Sequence, residues 1–239
     1  MLDKIKIVLV ETSHPGNVGA CARAMKNMGL AHLSLVNSSV HLQSEAISRA
    51  SGASDILNNA QVVKSLDEAL VGCQYVMGTS ARLRNADIPL VNPSACAALL
   101  KTHALKGTVA VVFGRERTGL SNNEMDRCQQ LVHIPTHSDY SSLNLGMAVQ
   151  VIAYEILIAH QSTSTNTQKV RNIVPAEDMA GFYQHLEQML LDIGFTDNRQ
   201  SEKLHRRLRR IFFRAELDKT ELQLLRGILS AAQGRKSMK

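Results

Sequence analysis

Apolar residues fall into short uninterrupted runs over the first two thirds of the chain and into a helical rhythm over the last third. Ile5–Val10 is a continuous run rich in β-branched residues, the pattern of a strand buried on both faces. His32–Val36, Tyr75–Met77, Val109–Phe113 and Leu131–Ile134 repeat it, and Gln61–Val63 is a minor candidate. The spacing between these runs is helical. Gly16–Met28 is closed by Gly29 as a C-cap, Ser44–Ser51 follows, and Asp67–Leu70 carries acids in its first turn. Pro93 sits in the first turn of a helix reaching His103, and Ser121 with Glu124 three residues on forms a capping box. Leu143–His160 is the longest helix of this region, opened by the Ser141–Ser142 pair, while Arg82–Asn92 reads as a polar loop. Strands alternating with helices predict an α/β fold, a mostly parallel sheet with helices on both faces.

Gln161–Asn172 is polar and aperiodic, so residues 161–173 read as a linker. Beyond it only helices are predicted. Pro175 opens one with Phe182, Leu186, Met189, Leu190 and Ile193 inward, ended by Gly194. Ser201–Glu216 turns Leu204, Leu208, Ile211, Phe212 and Ala215 inward and projects Arg206, Arg207, Arg209, Arg210 and Arg214 from the remaining arc. Thr220–Ala232 uses Leu222, Leu225, Ile228 and Leu229. The expected organisation is an α/β domain over residues 1–160 and a small all-α domain over 174–239.

Charge sharpens that division. The chain carries a net +6, with 13 Lys/Arg against 12 Asp/Glu over residues 1–160 and 14 against 9 over residues 161–239. A basic helical appendage points to an acidic partner, nucleic acid being the commonest, with a solvated basic face as the plain alternative. Aromatic residues make up 4% of the chain, so shape and phosphate contacts are expected to outweigh base stacking in any such recognition. No run of eighteen apolar residues or leader pattern occurs, which leads to the expectation of a cytoplasmic protein without a membrane partner. Cys21, Cys73, Cys96 and Cys128 are scattered, with no Cys-x-x-Cys, so neither metal nor disulfide is expected.

Three clusters are candidates for chemistry. Gly16-Asn17-Val18-Gly19 lies near a strand–helix junction and invites a phosphate-loop reading, with Asn17 and Arg23 as a polar pair. Neither Gly-x-Gly-x-x-Gly nor Gly-Lys-Ser/Thr occurs, which argues against a dehydrogenase or an NTPase. Gly114-Arg115-Glu116-Arg117-Thr118-Gly119 packs two glycines and three charges just after the expected central strand. Gly114 allows a sharp turn or close ligand approach; Arg115 and Arg117 can grip phosphate or carboxylate, with Glu116 holding one of them or a polar ligand edge. Ser141-Ser142-Leu143-Asn144 opens a helix whose N-terminal donors suit a carboxylate or phosphate; a simple N-cap accounts for one serine but not for Asn144. Loops at the carboxyl ends of parallel strands are where ligands bind in such sheets.

Taken in order, these clusters resemble the three motifs of the SPOUT superfamily, in the class of TrmH-like RNA 2′-O-ribose methyltransferases, and most closely the bacterial TrmJ-type tRNA enzymes. The first motif matches as Asn17 with Arg23, the second as Gly114-Arg115-Glu116-Arg117-x-Gly119, the third as Ser142-x-Asn144. The likeness spans residues 1–160; Gly146 stands where alanine is expected. It implies a C-terminal trefoil knot, a homodimer, and S-adenosyl-L-methionine held among three loops: Thr79-Ser80-Ala81, Gly114 with its neighbours, and Ile134 through Ser141, Ser142 and Leu143. It further implies methyl transfer to a ribose 2′-hydroxyl of tRNA, at cytidine or uridine 32 of the anticodon loop. Arg23, Asn17, Glu116, Ser142 and Asn144 would do the chemistry, with Glu116 positioning Arg23 or Asn17, within the chain or across subunits. Arg23, Arg82, Arg84, Arg115, Arg117, Arg206, Arg207 and Arg210 would meet the RNA. A different RNA target, a non-catalytic RNA-binding protein of this fold, and an enzyme using a phosphorylated small molecule at Gly16–Gly19 are the competing readings.

Overall fold

The computed structural model describes residues 1–81, 88–161, 173–196 and 201–234. Its strands are β1 (Ile5–Val10), β2 (His32–Val36), β3 (Gln61–Val63), β4 (Cys73–Thr79), β5 (Leu90–Val91), β6 (Thr108–Phe113) and β7 (Gln130–Val132). All pair in parallel, in the order β3-β2-β1-β6-β4-β7-β5. The helices of this region are α1 (Pro15–Asn27), α2 (Ser44–Ala50), α3 (Ser54–Asn58), α4 (Leu66–Ala69), α5 (Pro93–Ala104), α6 (Asn122–Met125) and α7 (Leu145–Gln161).

The strands expected from continuous apolar runs are the buried ones. Val8, Val10, Ala110 and Val112 point into one core layer with Leu66, Leu70, Met125 and Leu131, and alternation sends Ile7, Leu9, Val111 and Phe113 to the other face. The sequence reading missed β5 inside the stretch taken as a polar loop. Two residues are too short for a period, and Leu90 is itself exposed; the strand exists because the Leu131 amide donates to the Pro89 carbonyl and the His133 amide to that of Val91, each at 2.9 Å.

Glycine decides two close approaches. A Cβ at Gly19 would lie 2.1 Å from the Ala46 carbonyl oxygen, so this residue seats α1 against α2. That contact overturns the phosphate-loop reading of Gly16–Gly19: the second glycine serves helix packing, and a Cβ at Gly16 would meet the Glu45 carboxylate at 2.7 Å, an anion already in place. At Gly146 a Cβ would meet that of Ala20 at 2.7 Å, which explains why alanine does not stand there where α7 packs on α1. The α1 helix ends as expected, with Gly29 at φ 73° and the Leu30 amide donating back to the Met25 carbonyl at 2.9 Å.

His103 at the end of α5 stacks on Tyr75, with ring centroids 3.9 Å apart, and is 7% exposed. Burial, helped by nearby Lys106, pushes its pKa down to about 4 from 6.5. The unfolded chain therefore takes up this proton first as pH falls, and stability present above pH 6.5 is lost between there and about 4. The loss should reach roughly 2–3 kcal/mol. Urea midpoints followed against pH would show it, and His103→Phe, which keeps the stack but cannot titrate, should flatten that slope.

The chain divides into two compact units, Met1–Gln168 and Lys169–Lys239. Most of the expected linker lies outside the described residues. The second unit comprises α8 (Ala176–Asp192), α9 (Ser201–Ala215) and α10 (Lys219–Ala232), with Phe182, Leu186, Leu190, Leu222 and Leu229 in its core. Phe182 meets Phe212 edge-on at 4.8 Å. Ile193, Ile211, Ala215 and Ile228, expected inward, are exposed, and Phe213 packs in their stead. The apolar arc of each helix is wider than the core it meets, so helical periodicity alone overcounts the buried face. No helix among the described residues is long and apolar enough to cross a membrane.

Candidate active site

Three loops converge beyond the carboxyl ends of β4, β6 and β7, where parallel sheets place their ligands. The loop after β4 is fixed on both sides: Thr79 Oγ1 donates to the Val112 carbonyl at 3.1 Å, and the Ser80 amide to that of Val132 at 3.0 Å. After β6 the chain folds back on itself, with the Gly119 amide donating to the Arg115 carbonyl at 2.9 Å and the Arg115 amide to that of Gly119 at 3.3 Å. A Cβ at Gly114 would lie 2.2 Å from the Gly119 carbonyl carbon, so the turn can close only on glycine.

Arg115 braces this loop. Its Nη1 and Nη2 donate to the two Glu124 oxygens at 3.0 Å each, and its Nε donates to Glu11 at 2.8 Å. Glu124 also accepts the Ser121 amide at 2.7 Å, completing the expected capping box. The Arg115 guanidinium holds the Glu11 carboxyl below the usual carboxylate range. At Glu124 burial works to raise the pKa, but Arg115 and Ser121 outweigh it and the net shift is downward. With two carboxylates around it, Arg115 is a strut of the loop and not the phosphate grip expected from its charge. Among the described residues Glu116 does not hold an arginine either.

What Glu116 holds is Asn17. Asn17 Nδ2 donates to Glu116 Oε1 at 3.1 Å, and Asn17 Oδ1 accepts from Asn144 Nδ2 at 2.9 Å. Asn144 Oδ1 in turn accepts the Gly146 amide at 2.9 Å, the N-cap bond of α7. A backbone N–H can only donate, so it fixes the Asn144 amide, which fixes Asn17, which aims a donor at the Glu116 carboxylate. This corrects the expected start of the helix: Asn144 is the cap, and Ser141 and Ser142 stand before it as exposed loop residues.

These elements enclose a cavity of about 560 Å³. Thr79, Ser80, Ala81, Gly114, Ile134, Ser141, Ser142 and Leu143 all line it, as do Asn17, Glu116, Asn144, Arg115 and the exposed Arg117. Arg23 does not; it lies exposed on α1. Arg82 and Arg84 lie outside the described residues. In the second unit Arg206 pairs with Glu202 at 3.2 Å, Arg207 is exposed and Arg210 half-buried. Sequence reasoning missed Phe113, Leu120, Met125 and Val132, which supply apolar wall, and Tyr140. It also missed Glu11, whose partner lies 104 positions away, a pairing no local pattern announces. No cluster of side chains among the described residues could hold a metal ion.

The SpoU rRNA Methylase family profile matches residues 4–154, and that of the tRNA methyltransferase TrmJ C-terminal domain matches residues 177–239. A tRNA (cytidine/uridine-2′-O-)-methyltransferase TrmJ of Pectobacterium atrosepticum is 50% identical over 98% of this chain and 98% of its own. A tRNA (cytidine/uridine/adenosine-2′-O-)-methyltransferase TrmJ of Pseudomonas aeruginosa is 48% identical over 98% and 95%. The crystal structure of TrmJ from Z. mobilis superposes with a TM-score of 0.82 at 31% identity, covering 95% of this chain and 97% of that one.

Proposed function

The chain belongs to the SpoU methylase family and carries a TrmJ-type C-terminal domain, and from that premise we propose that it transfers a methyl group from S-adenosyl-L-methionine to a ribose 2′-hydroxyl of tRNA. In this reading the target is cytidine or uridine at nucleotide 32 of the anticodon loop, and the protein works in the cytoplasm. One observation carries it: three motifs separated by up to 127 residues meet through the Asn144–Asn17–Glu116 hydrogen bonds at the wall of one cavity.

The cavity suits the cofactor. Its volume lies in the range of small-molecule sites, and its wall mixes apolar side chains with hydroxyls and loop backbone. The Arg115 charge is compensated by Glu11 and Glu124, so it does not oppose a cationic ligand. When bound, S-adenosyl-L-methionine supplies a methyl already electrophilic on its sulfonium, so no metal is called for. Thr79, Ser80, Ala81, Gly114, Ile134, Ser141 and Leu143 hold it. Asn17, Ser142 and Asn144 place the ribose oxygen for in-line attack, and Glu116 keeps Asn17 oriented. The 2′-hydroxyl gives up its proton to solvent water as its oxygen takes the methyl, and the sulfonium is left as a neutral thioether; Arg23 is not the base, because a guanidinium stays protonated. Exposed on α1 outside the cavity, it holds the adjacent phosphate and so positions the ribose, while Arg117 meets the RNA at the cavity mouth.

A homodimer fits the exposed apolar stripe of Met147, Tyr154 and Ile158 along α7. The basic second unit, with Arg206, Arg207 and Arg210, supplies tRNA affinity. Single-turnover methylation and tRNA binding against salt, measured on the same proteins, test both assignments. Arg23→Ala should slow turnover by about 100-fold through misplacement of the ribose with tRNA affinity little changed, and Arg23→Lys should recover part of it. The Arg206, Arg207, Arg210 triple alanine variant should weaken binding and flatten the salt slope by about 1–3, with turnover kept at saturating tRNA. Near wild-type turnover in Arg23→Ala would sink the positioning role; an unchanged slope would remove the second unit from the RNA interface.

A further inference from the structure

The chain has four tyrosines, five phenylalanines and no tryptophan, and all nine rings lie among the described residues. Tyr75, Phe113, Phe182 and Tyr183 are buried, and Phe212 and Phe213 pack against the core of the second unit. Tyr154 on α7 and Phe195 beyond α8 are exposed but do not line the cavity. Tyr140 lines it and is 81% exposed. It is thus the one ring of the nine that borders the cavity and offers its faces to a ligand.

The turn that carries this ring is braced by its own polar groups. The Tyr140 amide donates to the His137 carbonyl at 3.1 Å, the Asp139 amide to His137 Nδ1 at 3.3 Å, and Thr136 Oγ1 to the Ser141 carbonyl at 3.3 Å. A tyrosine left this open forgoes the burial that normally stabilises an aromatic side chain. It also stands next to the Ser141–Ser142 pair of the third motif.

We propose that Tyr140 is the stacking platform for the base of the nucleotide that is methylated; the inference rests on the function proposed above. A 2′-hydroxyl can reach such a cavity only when its nucleotide is splayed out of the RNA, and the base then needs a new stacking neighbour. Stacking reads a π-face that every base has. Telling cytidine from uridine would require hydrogen bonds to the exocyclic group on the Watson–Crick edge. A site that relies on the ring accepts both. One ring is enough because one nucleotide enters, which accords with a chain in which aromatic residues make up 4%. The same chemistry would serve the adenine of the cofactor, so the test must separate the two sources.

The full-length protein, Tyr140→Phe and Tyr140→Ala are compared in single-turnover methylation of unmodified tRNA carrying cytidine or uridine at the target, with S-adenosyl-L-methionine affinity from calorimetry. Tyr140→Phe should stay within about 2-fold of wild type. Tyr140→Ala should lose about 10- to 100-fold in turnover at limiting tRNA, equally for both nucleotides, with cofactor affinity and thermal midpoint unchanged. An alanine variant within about 3-fold of wild type, or one whose loss follows cofactor affinity, overturns the assignment. A wild-type protein that methylates no tRNA overturns the proposed function and this inference together, whereas an active wild type with an indifferent alanine variant overturns this inference alone.

Discussion

Gly114→Ala is expected to lower affinity for S-adenosyl-L-methionine by at least about 100-fold, or roughly 3 kcal/mol. The reason is steric and local. The added methyl carbon would lie 2.2 Å from the Gly119 carbonyl carbon, 2.3 Å from the Leu120 nitrogen and 2.6 Å from the Gly119 oxygen. All three are backbone atoms, so no rotamer change relieves the clash. Either the Arg115–Gly119 bridge opens or Leu120, which is 4% exposed, leaves the core. Opening the bridge unseats Glu116 from Asn17 and moves the wall that holds the cofactor. A stability cost of about 2–4 kcal/mol should accompany it, so calorimetry belongs at a temperature where the variant is shown to be folded. Binding at wild-type strength by the folded variant would mean that this loop does not shape the cofactor seat.

Asn144 offers the second large effect, because it does two jobs that chemistry can separate. Asn144→Ala removes the N-cap of α7 and the bond to Asn17, and should cost about 1 kcal/mol of stability along with about 100-fold in turnover. Asn144→Asp keeps a good cap, since an aspartate oxygen accepts the Gly146 amide as well as the asparagine oxygen does. It cannot donate to Asn17. With acceptors on both sides, Asn17 must turn its own oxygen toward either the introduced carboxylate or Glu116, and the chain of bonds breaks. The aspartate variant should therefore melt like wild type and methylate like the alanine variant. Equal turnover for aspartate and asparagine would show that capping is the whole role of this residue.

How much of this was legible in the sequence depended on the range of the interaction. Ile5–Val10 and Val109–Phe113 announce themselves as central strands because burial on both faces demands uninterrupted apolar side chains. The Ser121–Glu124 box and the Gly29 cap are equally local, and both stand as expected. β5 was hidden, since two residues paired only through Leu131 and Val132 carry no period of their own. At the site, resemblance located the residues and geometry assigned their partners. Glu116 turns to Asn17, 99 positions away, one of the two partners the resemblance implied; Arg115 turns to Glu11 and Glu124 instead of to a ligand. One serine of the Ser141–Ser142 pair was expected to be the cap because hydroxyls favour that position. Asn144 takes it because its amide can also reach Asn17.

The central claim is that this cavity directs methylation to one ribose oxygen of tRNA. It is tested most directly by nucleoside mass spectrometry of unmodified tRNA incubated with the protein and S-adenosyl-L-methionine, beside the same tRNA bearing a 2′-deoxynucleotide at position 32. The account predicts one ribose-methylated cytidine or uridine in the first RNA and none in the second. A methyl group found on a base, or equal methylation of both RNAs, would contradict it.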